Sequence, residues 1–167
     1  MVRRGLIALV WLGFSSIFAV ALAASAAPQL YVFGAELCSY CQKALIFLRG
    51  LRPINNCFQL HEFDIVRSSE EATLYARLVT SIGLSTPVVP MIVIGREVIL
   101  GYESDETTGR EIAGHIEACQ TSDCPDLVGR MIEHPAATDV VSPGTWTTHR
   151  RWMPNPLEAI MRRPLFG

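Results

Sequence analysis

The sequence predicts one α/β domain in which short strands alternate with amphipathic helices. Apolar runs and helical patterns follow one another in the order β-α-β-α-β-β-α through the central part of the chain. Two cysteines, Cys38 and Cys41, form a C-x-x-C pair where the first strand gives way to the first helix. A proline, Pro90, stands directly before an uninterrupted apolar strand. These observations predict the class of fold and the place where its chemistry lies.

The first half of the domain is predicted to contain two strands and the helix between them. The run 29–35 is rich in Tyr, Val and Phe, as strands are, and the run 57–66 is a second strand candidate with less regular alternation. Apolar residues recur at i, i+3, i+4 and i+7 from Cys41, which predicts a helix that ends near Gly50.

The second half of the domain is predicted to be helix, strand pair and helix. Ser68 and Glu71 have the spacing of a capping box at the start of a helix, and Gly83 stands where that helix should end. The run 91–100 predicts two strands joined by a Gly-Arg turn. A last helix, with acidic residues in its first turn, is expected over about 104–119.

Residues 1–27 predict a secretory leader. Arg3 and Arg4 supply a positive end, an uncharged apolar run follows, and the small residues near Ala26 or Ala27 suit cleavage. The uncharged run is 23 residues long, and since a spanning helix needs about 20, an uncleaved inner-membrane anchor is the alternative. Both alternatives predict an exported, periplasmic protein in an oxidising compartment.

Residues 125–167 are predicted to form a loosely ordered tail with a basic, aromatic end. The segment holds six of the ten prolines and no sustained period, apart from a short helical pattern around 157–162. The domain itself is therefore predicted over residues 28–124. The net charge of −2, with no basic stripe in the central part, gives no case for nucleic acid as a partner.

A C-x-x-C pair at a strand-to-helix junction is suited to thiol–disulfide exchange. Cys38 falls at the helix N-terminus, where unpaired backbone N–H groups and the helix dipole favour a thiolate, so it is the expected nucleophile. Cys41 begins the apolar face one turn later and is the expected resolving thiol. Tyr40, between them, is expected to tune the pair and to contact the substrate. No cofactor is expected, because the cysteine pair is itself the redox centre.

The stretch CSYC after a strand, with VVPMIVIG and VILGY about fifty residues on, resembles the thioredoxin/glutaredoxin superfamily. The resemblance covers about residues 28–119 and implies a thioredoxin-like fold with a central mixed sheet flanked by helices. It also implies that Pro90 is a cis-proline facing the cysteines, and that Val89 offers its backbone to a bound substrate strand. Pro87 is the rival for the role of Pro90.

The chain departs from both main branches of this superfamily. Residues 33–37 lack the basic residue that glutaredoxins carry before the first cysteine, and Tyr102 stands where they have a second glycine. Both departures weaken the case for glutathione as a partner. Val32 and Leu37 stand where thioredoxins have a buried aspartate and a tryptophan. The chain is most similar to exported thioredoxin-like proteins that exchange electrons with membrane partners.

The chain contains three further cysteines, Cys57, Cys119 and Cys124. Cys119 and Cys124 most simply form a structural disulfide, and exported thioredoxin-like relatives with a similar ending support this interpretation. The alternative adds His115 and His134 to make a Cys₂His₂ zinc site. Cys57 is predicted to be a buried small apolar residue, and the odd cysteine count leaves at least one thiol outside an internal disulfide.

The sequence therefore predicts an exported oxidoreductase that acts on protein thiols or disulfides, with no metal. Whether it works as oxidant or reductant stays open, and a reductant would need a membrane redox partner. Two hypotheses from other classes also stay open. One is a Cu(I) carrier that uses the same two thiolates, and the other is a non-catalytic assembly component that works through its tail.

Overall fold

The computed structural model describes residues 27–55, 58–135 and 144–150. The predicted leader (except Ala27), Cys57 and the helical pattern at 157–162 lie outside the described residues. Among the helices that are described, none combines the length and the apolar character needed to cross a membrane.

The helices and strands follow the predicted order and continue beyond it. A π-helical turn (Asp105–Gly109) leads directly into the third helix. In chain order the other elements are β1 (Gln29–Gly34), α1 (Ser39–Asn55), β2 (Gln59–Asp64), α2 (Ser69–Ile82), β3 (Met91–Ile94), β4 (Glu97–Leu100), α3 (Arg110–Thr121), α4 (Leu127–Glu133) and β5 (Thr147–Arg150).

The five strands form one mixed sheet in the order β2-β1-β3-β4-β5. Strands β1 and β2 are parallel, β3 is antiparallel to both β1 and β4, and β5 is parallel to β4. A parallel β-α-β unit joined through its first strand to an antiparallel hairpin is the topology of the thioredoxin-like fold. The predicted α/β class and the mixed sheet flanked by helices are therefore confirmed.

The sheet carries a hydrophobic core on each face, and β1 contributes to both. Leu30 and Val32 pack with α1 and α3 on one face, whereas Tyr31 and Phe33 pack with α2 and α4 on the other. Successive side chains of a strand point to opposite faces, so covering both faces buries every residue from 30 to 33. This is why β1 is continuously apolar in the sequence rather than alternating.

The predicted cap at the start of α2 is present, with one difference. The Ser68 hydroxyl accepts a hydrogen bond from the Glu71 N–H at 3.2 Å, and Gly83 ends the helix at φ 77° in the left-handed region. The Glu71 carboxylate does not return to Ser68. It accepts from the backbone N–H of Asp64 and so joins the helix start to the end of β2.

Part of the segment that was expected to be loosely ordered completes the fold. Asp126 caps α4 by accepting from the Gly129 N–H at 2.8 Å, and it also accepts from the Tyr31 hydroxyl at 2.9 Å. Strand β5 adds a parallel edge to the sheet, and Trp146 packs against the core beside it. The helix has seven residues and the strand four. Elements this short do not show a period in the sequence.

Candidate redox site

The C-x-x-C pair lies between the end of β1 and the start of α1. Cys38 and Cys41 are joined by a disulfide, with their Cα atoms 5.2 Å apart. Cys41 is 1% exposed, whereas Cys38 is partly exposed. The more exposed residue is therefore the one that was expected to be the nucleophile, and the buried residue is the one that was expected to resolve.

Backbone geometry directs positive charge at the Cys38 sulfur. Cys38 directly precedes α1, and the N–H of Cys41 donates to its Sγ at 3.1 Å. The first turn of α1 contains no acidic side chain. On reduction, a thiolate on Cys38 would gain this hydrogen bond and the favourable end of the helix dipole, both of which lower a thiol pKa.

The charged side chains near the pair have other partners. The Lys43 ammonium group lies 5.6 Å from the centre of the Tyr40 ring, which is 39% exposed beside the cysteines. The Glu36 carboxylate pairs with Arg67 at 3.3 Å. The backbone contact at Cys38 is thus the most direct influence on its sulfur in the described structure.

Gly34, the last residue of β1, makes room for the buried cysteine. A Cβ placed on Gly34 would lie 3.2 Å from both the Cβ and the Sγ of Cys41. This is tighter than nine in ten real Cβ contacts, so any larger residue at this position would need Cys41 to shift by a few tenths of an ångström. In the sequence, Gly34 is marked only by its place within the strand candidate 29–35.

Pro90 reaches the same end of the sheet as the cysteine pair. In the β1–β3 register Phe33 faces Met91, so the flanking residues Gly34 and Pro90 meet at one edge. The Val89–Pro90 peptide bond is cis, and among the described residues it is the only one, which leaves the rival Pro87 in trans. The Pro90 carbonyl accepts from the Gly101 N–H at 2.8 Å.

A tyrosine hydroxyl holds the segment before Pro90, and the sequence did not reveal it. Tyr75 on α2 donates to the Val88 carbonyl at 2.7 Å and accepts from the Val88 N–H at 2.8 Å. Burial raises the pKa of Tyr75, so the hydroxyl keeps the proton that it donates. In the described part of the chain no hydrogen bond engages the backbone of Val89, the next residue. Val89 therefore keeps backbone groups for another strand.

A cleft of about 320 Å³ opens beside Cys41, between α1 and the end of β2. Its two arginines already have carboxylate partners. Arg49 makes a two-point contact with Glu62, and Arg67 pairs with Glu36. The cleft therefore presents paired charges to a ligand.

The second cysteine pair forms the other disulfide. Cys119 and Cys124 are bonded, with Cα atoms 5.0 Å apart, and a Cβ on Gly95 would lie 3.0 Å from the Cys124 sulfur. This disulfide therefore packs against the β3–β4 turn. A Cys₂His₂ zinc site with His115 and His134 needs both thiolates, so it is incompatible with this bonded form.

Comparison with known proteins adds structural neighbours. No protein-family model matches the sequence, and no curated protein matches it. The matching solved structures include a glutaredoxin from Archaeoglobus fulgidus, with 19% identity over 49% of this chain and 84% of that chain, at a TM-score of 0.37. They also include a buckwheat glutaredoxin–glutathione complex, with 22% identity over 56% of this chain and 77% of that chain, at a TM-score of 0.37.

These scores are too low for either neighbour to decide what the chain does. The topology and the site together define a class: a thioredoxin-fold protein with a C-x-x-C disulfide at the start of its first helix. Function has to be inferred from the geometry of that disulfide.

Proposed function

We propose that the protein catalyses thiol–disulfide exchange on exported protein substrates through Cys38 and Cys41. The observation that carries the proposal is the difference between the two sulfurs. One belongs to a partly exposed residue and accepts the Cys41 N–H at 3.1 Å, and the other is on a residue that is 1% exposed. An exposed, stabilised thiolate next to a shielded partner is what a two-step exchange requires.

The exchange proceeds through one mixed disulfide. The Cys38 thiolate attacks a sulfur of the substrate disulfide, forms a new S–S bond and releases the first substrate thiolate. The Cys41 thiolate then attacks the Cys38 sulfur and releases the second. The protein loses two electrons and the substrate gains two. The reverse sequence oxidises a substrate dithiol.

The substrate segment binds in extended form next to Pro90. The free backbone groups of Val89 pair with it as an added strand would, because main-chain hydrogen bonds do not depend on the substrate sequence. Tyr40 supplies an exposed aromatic surface at the cysteines. Tyr75 acts as a positioning residue, since it holds Val88 and thereby the backbone that the substrate meets.

The chain works in the periplasm, either released by cleavage near Ala26 or Ala27 or held at the inner membrane by its leader. Two features support this location: the leader pattern of the sequence and the Cys119–Cys124 disulfide, a bond that persists in oxidising compartments. If the protein acts as a reductant, a membrane redox partner returns it to the dithiol form, because that compartment holds no reducing buffer.

Trapping of the mixed disulfide tests the proposed roles. The reduced Cys41→Ser variant is mixed with a disulfide-containing protein. It should accumulate a covalent complex through Cys38, and dithiothreitol should cleave this complex. Cys38→Ser should form none, and Cys57→Ser should behave as the parent chain does. Equal trapping by Cys38→Ser and Cys41→Ser would contradict the assignment of nucleophile and resolving thiol.

A further inference from the structure

A cluster of two histidines and a carboxylate lies at the end of the sheet opposite to the cysteine pair. Glu97 begins β4 across from Ile94, the far end of β3 from Pro90. His115 lies on α3 and His149 on β5, and one ligand atom of each of the three lies within 4.8 Å of the others. All three are partly buried, and their sequence separation shows that the fold brings them together.

Both ring nitrogens of His149 face carboxylate oxygens, so one ring lone pair faces a carboxylate whichever nitrogen carries the proton. Its Nε2 lies 2.7 Å from Oε2 of Glu97, and its Nδ1 lies 3.2 Å from Oε1 of Glu111. A neutral imidazole carries a single N–H. When Nδ1 holds it, towards Glu111, the Nε2 lone pair faces the Glu97 carboxylate. Two electron pairs at this distance need either a proton or a metal ion between them.

His115 favours the metal ion over the proton. Its ring centre lies 5.1 Å from that of His149, so the cluster offers a third donor atom. A proton shared by His149 and Glu97 needs only two donor atoms, whereas a metal ion uses the third. Ligand atoms around tetrahedral zinc lie about 3.3 Å apart. The 2.7 Å pair therefore has to open by less than about 1 Å, and the other pairs, which lie within 4.8 Å, have to close by up to about 1.5 Å. Two neutral imidazoles and the carboxylates of Glu97 and Glu111 also balance the charge of a divalent cation.

We infer that Glu97, His115 and His149 form a zinc site, with Glu111 as the carboxylate partner of His149. Histidine nitrogens and a carboxylate suit Zn²⁺, and three protein ligands leave a fourth position for water. A metal-binding histidine almost always directs its other ring nitrogen at a carboxylate or carbonyl, as Nδ1 of His149 does here. A small cleft of about 130 Å³, lined by Glu97 and His115, gives the ion a path from solvent.

The ion joins three elements and so fixes β5 onto the domain. Strand β5 is four residues long, and three of those residues are exposed. His149 is its partly buried residue, at 29% side-chain exposure. A ligand that binds only the folded state stabilises that state by mass action. The site therefore goes beyond the redox function and does not depend on it.

Calorimetric titration with Zn²⁺ tests the inference on the full chain with both disulfides formed. A Cys57→Ser background removes the one cysteine outside the two disulfides. The parent should bind one equivalent. Losing a carboxylate partner typically costs about 10- to 100-fold in metal affinity, so Glu111→Gln should weaken binding within this range. His115→Gln, His149→Gln and Glu97→Gln should each weaken it more.

His61→Gln is the matched control, because His61 pairs with Gln29 on another strand, and it should bind as the parent does. Far-UV circular dichroism and thiol counting establish that each variant is folded and oxidised. Co²⁺ gives a readout that needs no variant: its spectrum should have tetrahedral character without thiolate-to-metal charge transfer. Absence of binding, binding unchanged in both histidine variants, or a thiolate band would each overturn the inference.

Discussion

At the residue scale, two glycines of the first strand–helix unit predict opposite effects of the same substitution. Gly34→Ala places a methyl group 3.2 Å from Cys41, where overpacking costs about 1–3 kcal/mol of folding free energy. Gly50→Ala meets nothing within 4 Å inside α1, so it should stabilise the protein by about 0.5–1 kcal/mol through helix propensity. Urea unfolding of the oxidised proteins measures both. A Gly34→Ala variant as stable as the parent would contradict the close approach.

Tyr75→Phe tests the positioning role of the Val88 contact. Removing the hydroxyl leaves a backbone donor and acceptor without their partner, which should destabilise the protein by about 1–3 kcal/mol. It should also slow exchange with a protein substrate, because the backbone around Val89 is less well held. Urea unfolding and the rate of substrate reduction measure the two effects.

Tyr31→Phe is the matched comparison, since it removes another hydrogen-bonded tyrosine hydroxyl from the same core. It should lose stability and keep the exchange rate at concentrations and temperatures where both variants are folded. If thiol–disulfide exchange slowed equally in the two variants, Tyr75 would contribute to stability alone.

At the level of helices and strands, the Asp126 cap of α4 and the edge strand β5 should both contribute to the folding free energy. Asp126→Ala removes the acceptor for the Gly129 N–H and the Tyr31 hydroxyl, so a loss of about 1–2 kcal/mol is expected. A chain that ends at residue 135 lacks β5 and should unfold at lower urea than one that ends at residue 150. Equal midpoints for the two truncations would contradict the contribution of β5.

The sequence predicted the elements that show a hydrophobic period or a recognisable capping pattern. The Ser68 cap of α2 and the hairpin of β3 and β4 are local patterns, and the structure contains both. The sequence did not indicate α4 and β5, because seven and four residues are too few to show a period. Without β5, nothing in the sequence indicated that His149 lies near Glu97.

The candidate site was predictable to the extent that its signals are local. Cys38 and Cys41 are three residues apart, and Pro90 directly precedes a strand. The Tyr75 contact was missed because α2 meets the segment before β3 only in the folded chain. The same reason hid the cluster of Glu97, His115 and His149, and the sequence predicted no metal there.

At the scale of the whole molecule, buried phenols predict how stability responds to alkali. Burial, followed by hydrogen bonds to Asp126 and Asp105, raises the pKa of Tyr31 and of Tyr102 above the ordinary value of 10.0. The unfolded chain releases these protons first, so it binds fewer protons than the folded one above about pH 10. Folding stability should therefore be intact below about pH 10 and fall as pH rises beyond it.

Urea midpoints between pH 8 and 11 check this dependence, with Tyr102→Phe as the comparison. The variant should show a shallower fall than the parent at high pH. An identical slope in both proteins would mean that Tyr102 does not contribute to the alkaline loss.

If Cys38 and Cys41 form a reversible redox pair, the pair has a defined equilibrium reduction potential, and this is the first quantity to measure. The oxidised chain, in a Cys57→Ser background, is equilibrated with glutathione buffers and its thiols are counted. A reversible pair should give a single two-electron transition, and Cys38→Ser should lose it. A potential near the ~−120 mV of strong oxidants would make the protein a disulfide donor, and one near the ~−270 mV of thioredoxin would make it a reductant. A pair that never equilibrates, or that is isolated with stoichiometric copper bound, would contradict the redox role and favour a metal carrier.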